Sequence, residues 1–522
     1  MRNQAGRNKY ELLAEDGETS TSSLPRRTYL FKRAAFLLII ALCGVAIVGV
    51  LLITFGRDVV PLSSRMKLFS MTADNESSKS KNQVGFRLKS DPVLLEDGSD
   101  LFVSWEGEAA VALTDRDFLT LSCGPTNNYQ DFIAMKNATD SDNHSIRFYN
   151  LYMLRCNYTV IYFNYDKQTN MASPIAKLEV GMKEPFETPK HGHLSLTDDD
   201  NAMAIMFNSG SKKTPMVKYG ENPKDLKFHA TGTTTTYRAD DLCQAPANVT
   251  GQQSYRDPGY MHTVIMTDLK PETLYYYQYG LEDVNAMSQV RSFKSKAHTN
   301  SRHAKFIAYA DMGSWGATTA GRVYKDVTER GYDTFLLHFG DISYARGDGR
   351  VWDHFFHMIE PYATRPLFVD EYDYDEGGIH DLSGGMLPYG GGFNPSWGNF
   401  EHDSGGECGV PMHHRWHAPG TGNGIYWYSF DYSGIHVIQM STEHNWTRGS
   451  EQYEWLRHDL EQVNRSVTPW VVLTAHRMMY TTQMYIDGDM NVSYKFQEEV
   501  EDLIYKHRVN LMMVLYNDVT LG

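Results

Sequence analysis

Two carboxylates, a phenol and an imidazole stand at the ends of separate apolar runs. Asp311 closes KFIAYAD, Asp341 closes FLLHFGD, Tyr344 follows three residues later, and His476 closes WVVLTAH. Burying an ionised carboxylate without a partner is expensive, so Asp341 needs a counter-charge. Carboxylates suit hard cations and imidazole suits zinc or iron. A bound di- or trivalent cation would neutralise Asp341 and could hold Tyr344 as phenolate, although a free phenol titrates at about 10. Taken singly, Asp341 reads as a turn residue, Tyr344 as a packing side chain and His476 as a core histidine. Their common place at strand ends favours ligation, because open α/β sheets bind ligands outside the carboxyl ends of their strands.

The positioning elements follow from the pattern around these residues. KFIAYAD, DTFLLHFGD, WVVLTAH and VNLMMVLYND read as strands, and TAGRVYKDVTERG between the first two reads as a helix. KFIAYAD, TAGRVYKDVTERG and DTFLLHFGD make a βαβ unit, with parallel pairing and a right-handed crossover expected. Upstream, residues 188–299 contain the strand AMAIMFNSG and then LKPETLYYYQYGL, where Tyr275, Tyr277 and Tyr279 alternate to one face. A Pro-led turn into such a strand resembles the tyrosine corner of a fibronectin type III sandwich. Short apolar runs between Leu101 and Tyr165 predict a further β-sandwich over residues 96–187. Residues 56–95 are polar, rich in Ser and Lys, and read as a stalk.

At 522 residues, with 41% hydrophobic and 13% aromatic residues, the chain can build several cores. The net charge of −15 and the lack of a long Lys/Arg run exclude nucleic acid as the main partner. Residues 34–55 form an uncharged run of 22 residues, which as a helix would span about 33 Å. Arg26, Arg27, Lys32 and Arg33 precede it and only Arg57 closely follows. This asymmetry predicts a cytoplasmic tail over residues 1–33 and a single-pass type II membrane protein with its bulk lumenal or extracellular. A cleaved signal peptide is the competing reading, but the run is long and starts late for one. The sequons at Asn75, Asn137, Asn143, Asn157, Asn248, Asn445, Asn464 and Asn491 all lie beyond the span, as glycosylation after export requires. Cys43 is in the span, while Cys123, Cys156, Cys243 and Cys408 would meet an oxidising compartment. Cys123 with Cys156 is the expected pair, since they share a domain.

ADMG, GDISYARG, the HR after VVLT, and GGECGVPMHHRWHAPGTGNGIYWYSFDY resemble purple acid phosphatases of the large, plant-like kind. The resemblance runs from about residue 190 to the end. It implies a fibronectin-III-like N-terminal domain followed, over residues 303–522, by an α/β metallophosphoesterase domain. It also implies hydrolysis of phosphate monoesters at acid pH by a dinuclear centre of Fe(III) and a divalent metal (Zn, Fe or Mn). Carried onto this chain, Asp311 and Tyr344 would bind the ferric ion, Asp341 would bridge, and His476 would bind the second metal. The pair would polarise phosphoryl oxygens and supply a hydroxide, and phenolate-to-iron charge transfer would give a purple colour.

The chain departs from that pattern in three places. G-N-H-E is absent where RPLFVDEYDYDEGG stands, as though about four residues were removed, and G-H-x-H is replaced by LYNDVTLG. G-H-R reads Ala475-His476-Arg477, costly if that position needs a positive φ. Four of the seven ligand positions survive, with Asp370, Tyr516 and Asp518 as substitute oxygen ligands. The expectation is one metal or none, and weak or absent phosphatase activity. A non-catalytic glycoprotein using the scaffold for binding, and a C-terminally incomplete gene model of an active enzyme, are the alternative readings. His191 and His193 in HGH read as part of a domain-entry strand, and His413, His414 and His417 in HHRWH as a loop, since neither has the spacing of a closed metal site. TDDDN at Asp198 reads as a solvated turn.

Overall fold

The computed structural model describes residues 85–514 apart from 110, 126–131, 142, 153–155, 250–254, 285, 298–302, 372–392, 394, 398–404 and 482–486. The expected anchor over residues 34–55, Asn75, Tyr516 and Asp518 lie outside the described residues. No helix among the described residues is long and apolar enough to cross a membrane.

The first sandwich has two sheets. One contains β1 (Arg87–Asp91), β3 (Ser99–Glu106) and β6 (Ser145–Leu151). The other runs β2 (Leu94–Leu95), β8 (Met171–Met182), β7 (Tyr158–Asp166), β4 (Phe118–Cys123), β5 (Phe132–Asn137). Leu101, Val103, Leu119, Leu121 and Val160 fill the space between them, and Cys123 pairs with Cys156 across a Cα separation of 5.6 Å. The stalk expectation needs correction here, because residues 87–95 already belong to the sandwich. β1 buries Leu88 on one face and keeps the other polar, and a one-sided strand of five residues leaves few apolar marks.

The second sandwich sets β13 (Thr233–Thr235), β14 (Tyr260–Met266), β10 (Met203–Ser209) and β9 (Lys190–Ser195) against a second sheet. That sheet contains β12 (Phe228–Thr231), β11 (Pro215–Gly220), β15 (Leu274–Leu281) and β16 (Arg291–Lys294). Tyr275, Tyr277 and Tyr279 all point into the core from β15. The Tyr275 hydroxyl accepts from the Lys270 amide at 3.0 Å, the bond that defines a tyrosine corner.

In the last part, β17 (Ile307–Tyr309), β18 (Phe335–Phe339) and β19 (Leu367–Glu371) form a parallel sheet. Helix α1 (Ala317–Glu329) joins the first two strands, and α2 (Gly349–Ala363) leads from the second to the third. A second sheet holds β20 (Tyr428–Tyr432), β21 (Ile435–Gln439), β22 (Trp470–Ala475) and β23 (Leu511–Val514). The four strands read from the sequence therefore divide between two sheets. Both β18 and β22 are buried on two faces, so their apolar runs do not say which neighbours they pair with. Phe335, Leu337 and Phe339 pack on Tyr428, Phe430, Val437 and Val472 of the opposite sheet. Leu336, pointing the other way, packs with Val323 of α1 and Ile359 of α2. On the far side, Leu473 and Ile438 meet Leu456 and Leu460 of α4 (Glu451–Gln462). The HHRWH segment, expected as a loop, lies partly in a short helix, α3 (Val410–Arg415), started by Pro411 in its first turn.

Candidate metal centre

Three turns, after β17, β18 and β22, meet at one end of the facing sheets. The Asp311 amide donates to the Gly340 carbonyl at 3.1 Å, which ties the first turn to the second. Both turns are tight. Asp311, Asp341 and Tyr344 hold φ of 54°, 49° and 54°, a region that Asp tolerates but that is an outlier for a bulky residue such as Tyr. Each such residue costs on the order of 1–3 kcal/mol, and such strain collects at functional sites. Gly313 and Gly347 let the loops close: a Cβ on Gly313 would lie 2.7 Å from the Tyr344 ring, and one on Gly347 would lie 2.8 Å from the Gly405 carbonyl oxygen.

The side chains converge. His476 Nδ1 is 3.9 Å from Asp311 Oδ1, and Nε2 is 3.6 Å from Asp341 Oδ1. One donor atom from each of Asp311, Asp341 and His476 lies within 4.8 Å of the others, and no second such group of His, Cys, Asp or Glu occurs among the described residues. The Tyr344 hydroxyl donates to Asp341 Oδ2 at 2.6 Å. Asp341 is 8% exposed and His476 fully buried. His476 Nδ1 lies 3.3 Å from the Phe339 carbonyl. A carbonyl can only accept, so Nδ1 carries the proton and Nε2 the lone pair. That lone pair then faces a carboxylate oxygen, an arrangement that a bound cation would make attractive.

The donor set fits one hard cation. Asp341 Oδ1 accepts no hydrogen bond among the described residues although it is buried, and two carboxylates, a phenol and an imidazole match iron or a similar ion. Among the described residues, no further group of His, Cys, Asp or Glu stands beside it. Asp370 sits on β19 in register with His338, and its side chain is outside the described atoms. Ala475 ends β22 without a positive φ, so its replacement of glycine carries no backbone cost there.

The neighbours of the site were not visible in the sequence. Arg477, beside His476, makes a bidentate pair with Glu443, at 2.6 and 3.0 Å, with both side chains 4% exposed. Glu407 accepts from the Gly347 amide at 3.2 Å and from Trp352 Nε1 at 3.0 Å, bracing the loop that carries Tyr344. His338, packed beside the centre on β18, is pushed down to about 3 by burial first and by His476 second. A buried ion pair between residues far apart in sequence has no periodic signature; the only hint was Arg next to His at a strand end.

His191 and His193 are buried in β9, where His193 Nε2 lies 2.8 Å from the Arg415 carbonyl, so they act in packing. The acidic turn is exposed, and Asp199 and Asp200 engage Asn201 and Lys296.

Comparison with known proteins shows the family and the fold. Residues 189–295 match the family model for the purple acid phosphatase N-terminal domain. Probable inactive purple acid phosphatase 9 of Arabidopsis thaliana is 30% identical over 463 residues, covering 80% of this chain and 68% of its own length. The chain belongs to the purple acid phosphatase family. It is also 29% identical to probable inactive purple acid phosphatase 1 of the same plant, over 64% of this chain and 55% of that protein. A solved purple acid phosphatase from yellow lupin (Lupinus luteus) seeds shares the fold, with a TM-score of 0.64 at 23% identity over 82% of this chain and 79% of that one. Within the purple acid phosphatase family, this chain thus keeps the sandwich and the metallophosphoesterase domain.

Proposed function

We propose that this chain is a purple acid phosphatase-type phosphoesterase that binds phosphate monoesters at a metal and hydrolyses them weakly. The observation that carries the reading is the meeting of Asp311, Asp341 and His476, with Tyr344 bonded to Asp341, at the ends of strands in two facing sheets. A cation held there would polarise a phosphoryl oxygen and acidify a water. Asp311 and Asp341 supply the opposing charge. The Phe339 carbonyl fixes the His476 ring, and Asp341 Oδ2 accepts the hydrogen bond of the Tyr344 hydroxyl. Weak turnover follows from the missing G-N-H-E and G-H-x-H segments, because stabilising attacking and leaving oxygens together needs two metals.

The placement outside the cytoplasm is part of the same reading. It rests on residues 34–55 and on the sequons; Asn137, Asn143, Asn157, Asn445, Asn464 and Asn491 are exposed and Asn248 is half-buried. Retention of the full chain in membranes after alkaline extraction, with a mobility shift on enzymatic deglycosylation, is the expected result; release with no shift contradicts it.

The names of the two Arabidopsis relatives, which call those proteins inactive, favour the second reading, a scaffold that binds without turnover. An acid-pH assay with a generic phosphate monoester separates them. Slow, metal-dependent hydrolysis abolished by Asp341→Asn supports the enzyme, and no hydrolysis by a folded, metal-loaded chain supports the scaffold.

A further inference from the structure

We infer that Trp315 and Arg346 form an aromatic, cationic rim at the mouth of the metal site, where Trp315 stacks on a phosphate monoester whose leaving group carries a flat aromatic ring. This rests on the proposed binding of phosphate monoesters at the metal, and adds the class of ester.

The rim is built from the same turns that carry the ligands. Trp315 follows Asp311 by four residues, and Arg346 follows Tyr344 by two. The Trp315 and Tyr344 rings stand 5.7 Å apart, tilted by 40°. The Arg346 guanidinium lies over the Tyr344 ring at 5.7 Å, within reach of a cation–π contact. Tyr344 is itself bonded through its hydroxyl to Asp341. Trp315 and Arg346 therefore stand about one aromatic side chain away from the atoms offered to the cation.

The backbone sets the indole there. The Trp315 carbonyl accepts from the Ala317 amide at 2.9 Å, at the entrance to α1. A Cβ on Gly313 would meet the Tyr344 ring at 2.7 Å and the Trp315 ring at 3.0 Å, so the glycine lets both rings close over that turn. A lone exposed apolar side chain needs no explanation, but position gives this one a use. Trp315 is 71% exposed, more than any other tryptophan among the described residues. Asp341 and His476 are buried, so the substituent of a bound ester must lie toward the open side, where Trp315 and Arg346 are exposed. An indole face stacks well on a planar aryl ring or base, and the guanidinium opposes the negative charge left on the phosphate.

Calorimetry on the full-length protein loaded with Fe(III) tests this with matched esters: phenyl against cyclohexyl phosphate, and adenosine monophosphate against ribose phosphate. Inorganic phosphate probes the metal itself. In at least one pair the aromatic ester should bind about fivefold or more tighter. A preference in the phenyl pair marks an aryl ester, and one in the adenosine pair marks a nucleotide. Trp315→Ala should bring that ratio to about one, and Trp315→Phe, which keeps a ring, should restore part of it. A loss of affinity shared equally by both members of a pair would mean a structural role and overturn the inference. Equal binding of both by the native chain, or a ratio that survives Trp315→Ala, would overturn it too. Binding of inorganic phosphate without aromatic preference defeats this inference alone, and no binding of any phosphate defeats the metal-site reading as well. Aromatic preference without turnover leaves the rim standing and defeats the proposed hydrolysis.

Discussion

At the scale of single residues, the centre depends on side chains that never touch the ion. Arg477 and Glu443 are buried together, and taking one partner from such a pair leaves an uncompensated charge that costs about 3–5 kcal/mol. Glu443→Ala should lower the unfolding free energy from urea titration by that much, while Glu443→Gln, which still hydrogen-bonds, should cost less; equal effects would mean that the charge is irrelevant. Asp311, Asp341 and His476 were legible in the sequence because each ends an apolar run, a place where charge is expensive, and Tyr344 because it follows Asp341 by three residues. Glu443, Glu407 and the Phe339 carbonyl were not, because burial of a distant partner or of a backbone group leaves no local pattern. The left-handed backbone at Tyr344 was also hidden, since nothing about a tyrosine signals positive φ.

At the scale of elements, one imidazole links the hairpin β20–β21 to α4. His436 Nδ1 lies 2.6 Å from Asp431 and Nε2 lies 2.8 Å from Asp459. Burial works to lower its pKa, but the two carboxylates outweigh burial and raise it to about 9. A folded pKa above the ordinary value gives stability that is full below about 6.5 and is lost as pH rises through about 9. The Asp431 side chain is 39% exposed, so solvent screening trims the contribution, to on the order of 2 kcal/mol. Melting temperatures from pH 6 to 10 should converge for the native chain and His436→Gln as pH rises; a constant gap contradicts the clamp. Strand and helix identities were readable from period, and α1 and the tyrosine corner fall where the pattern puts them. The division into two sheets was not readable, because strands buried on both faces carry no mark of their neighbours.

At the scale of the whole molecule, both sandwiches hold α2, the helix that follows the Tyr344 loop. Tyr152 of the first sandwich stacks on His354 of α2 at 4.7 Å, and Arg350 of α2 donates to the Ile133 carbonyl at 3.2 Å. In the second, the Tyr277 hydroxyl donates to the Thr364 carbonyl at 2.6 Å. Cys243 pairs with Cys408, a residue away from Glu407, which holds Gly347. The partner of Cys408 could not be deduced from sequence, as spacing alone does not choose among pairings. Replacing both cysteines by serine should cost about 2–5 kcal/mol in stability and also speed loss of iron, through a loosened Glu407. Unchanged iron retention in a destabilised but folded variant would show that the bridge serves the fold alone.

An anomalous difference map at the iron edge, from crystals of the iron-loaded protein, tests the shared cation pocket most directly. A peak is expected within bonding distance of Asp311, Asp341 and His476. No peak there, or a peak that His476 Nε2 does not reach, would contradict it.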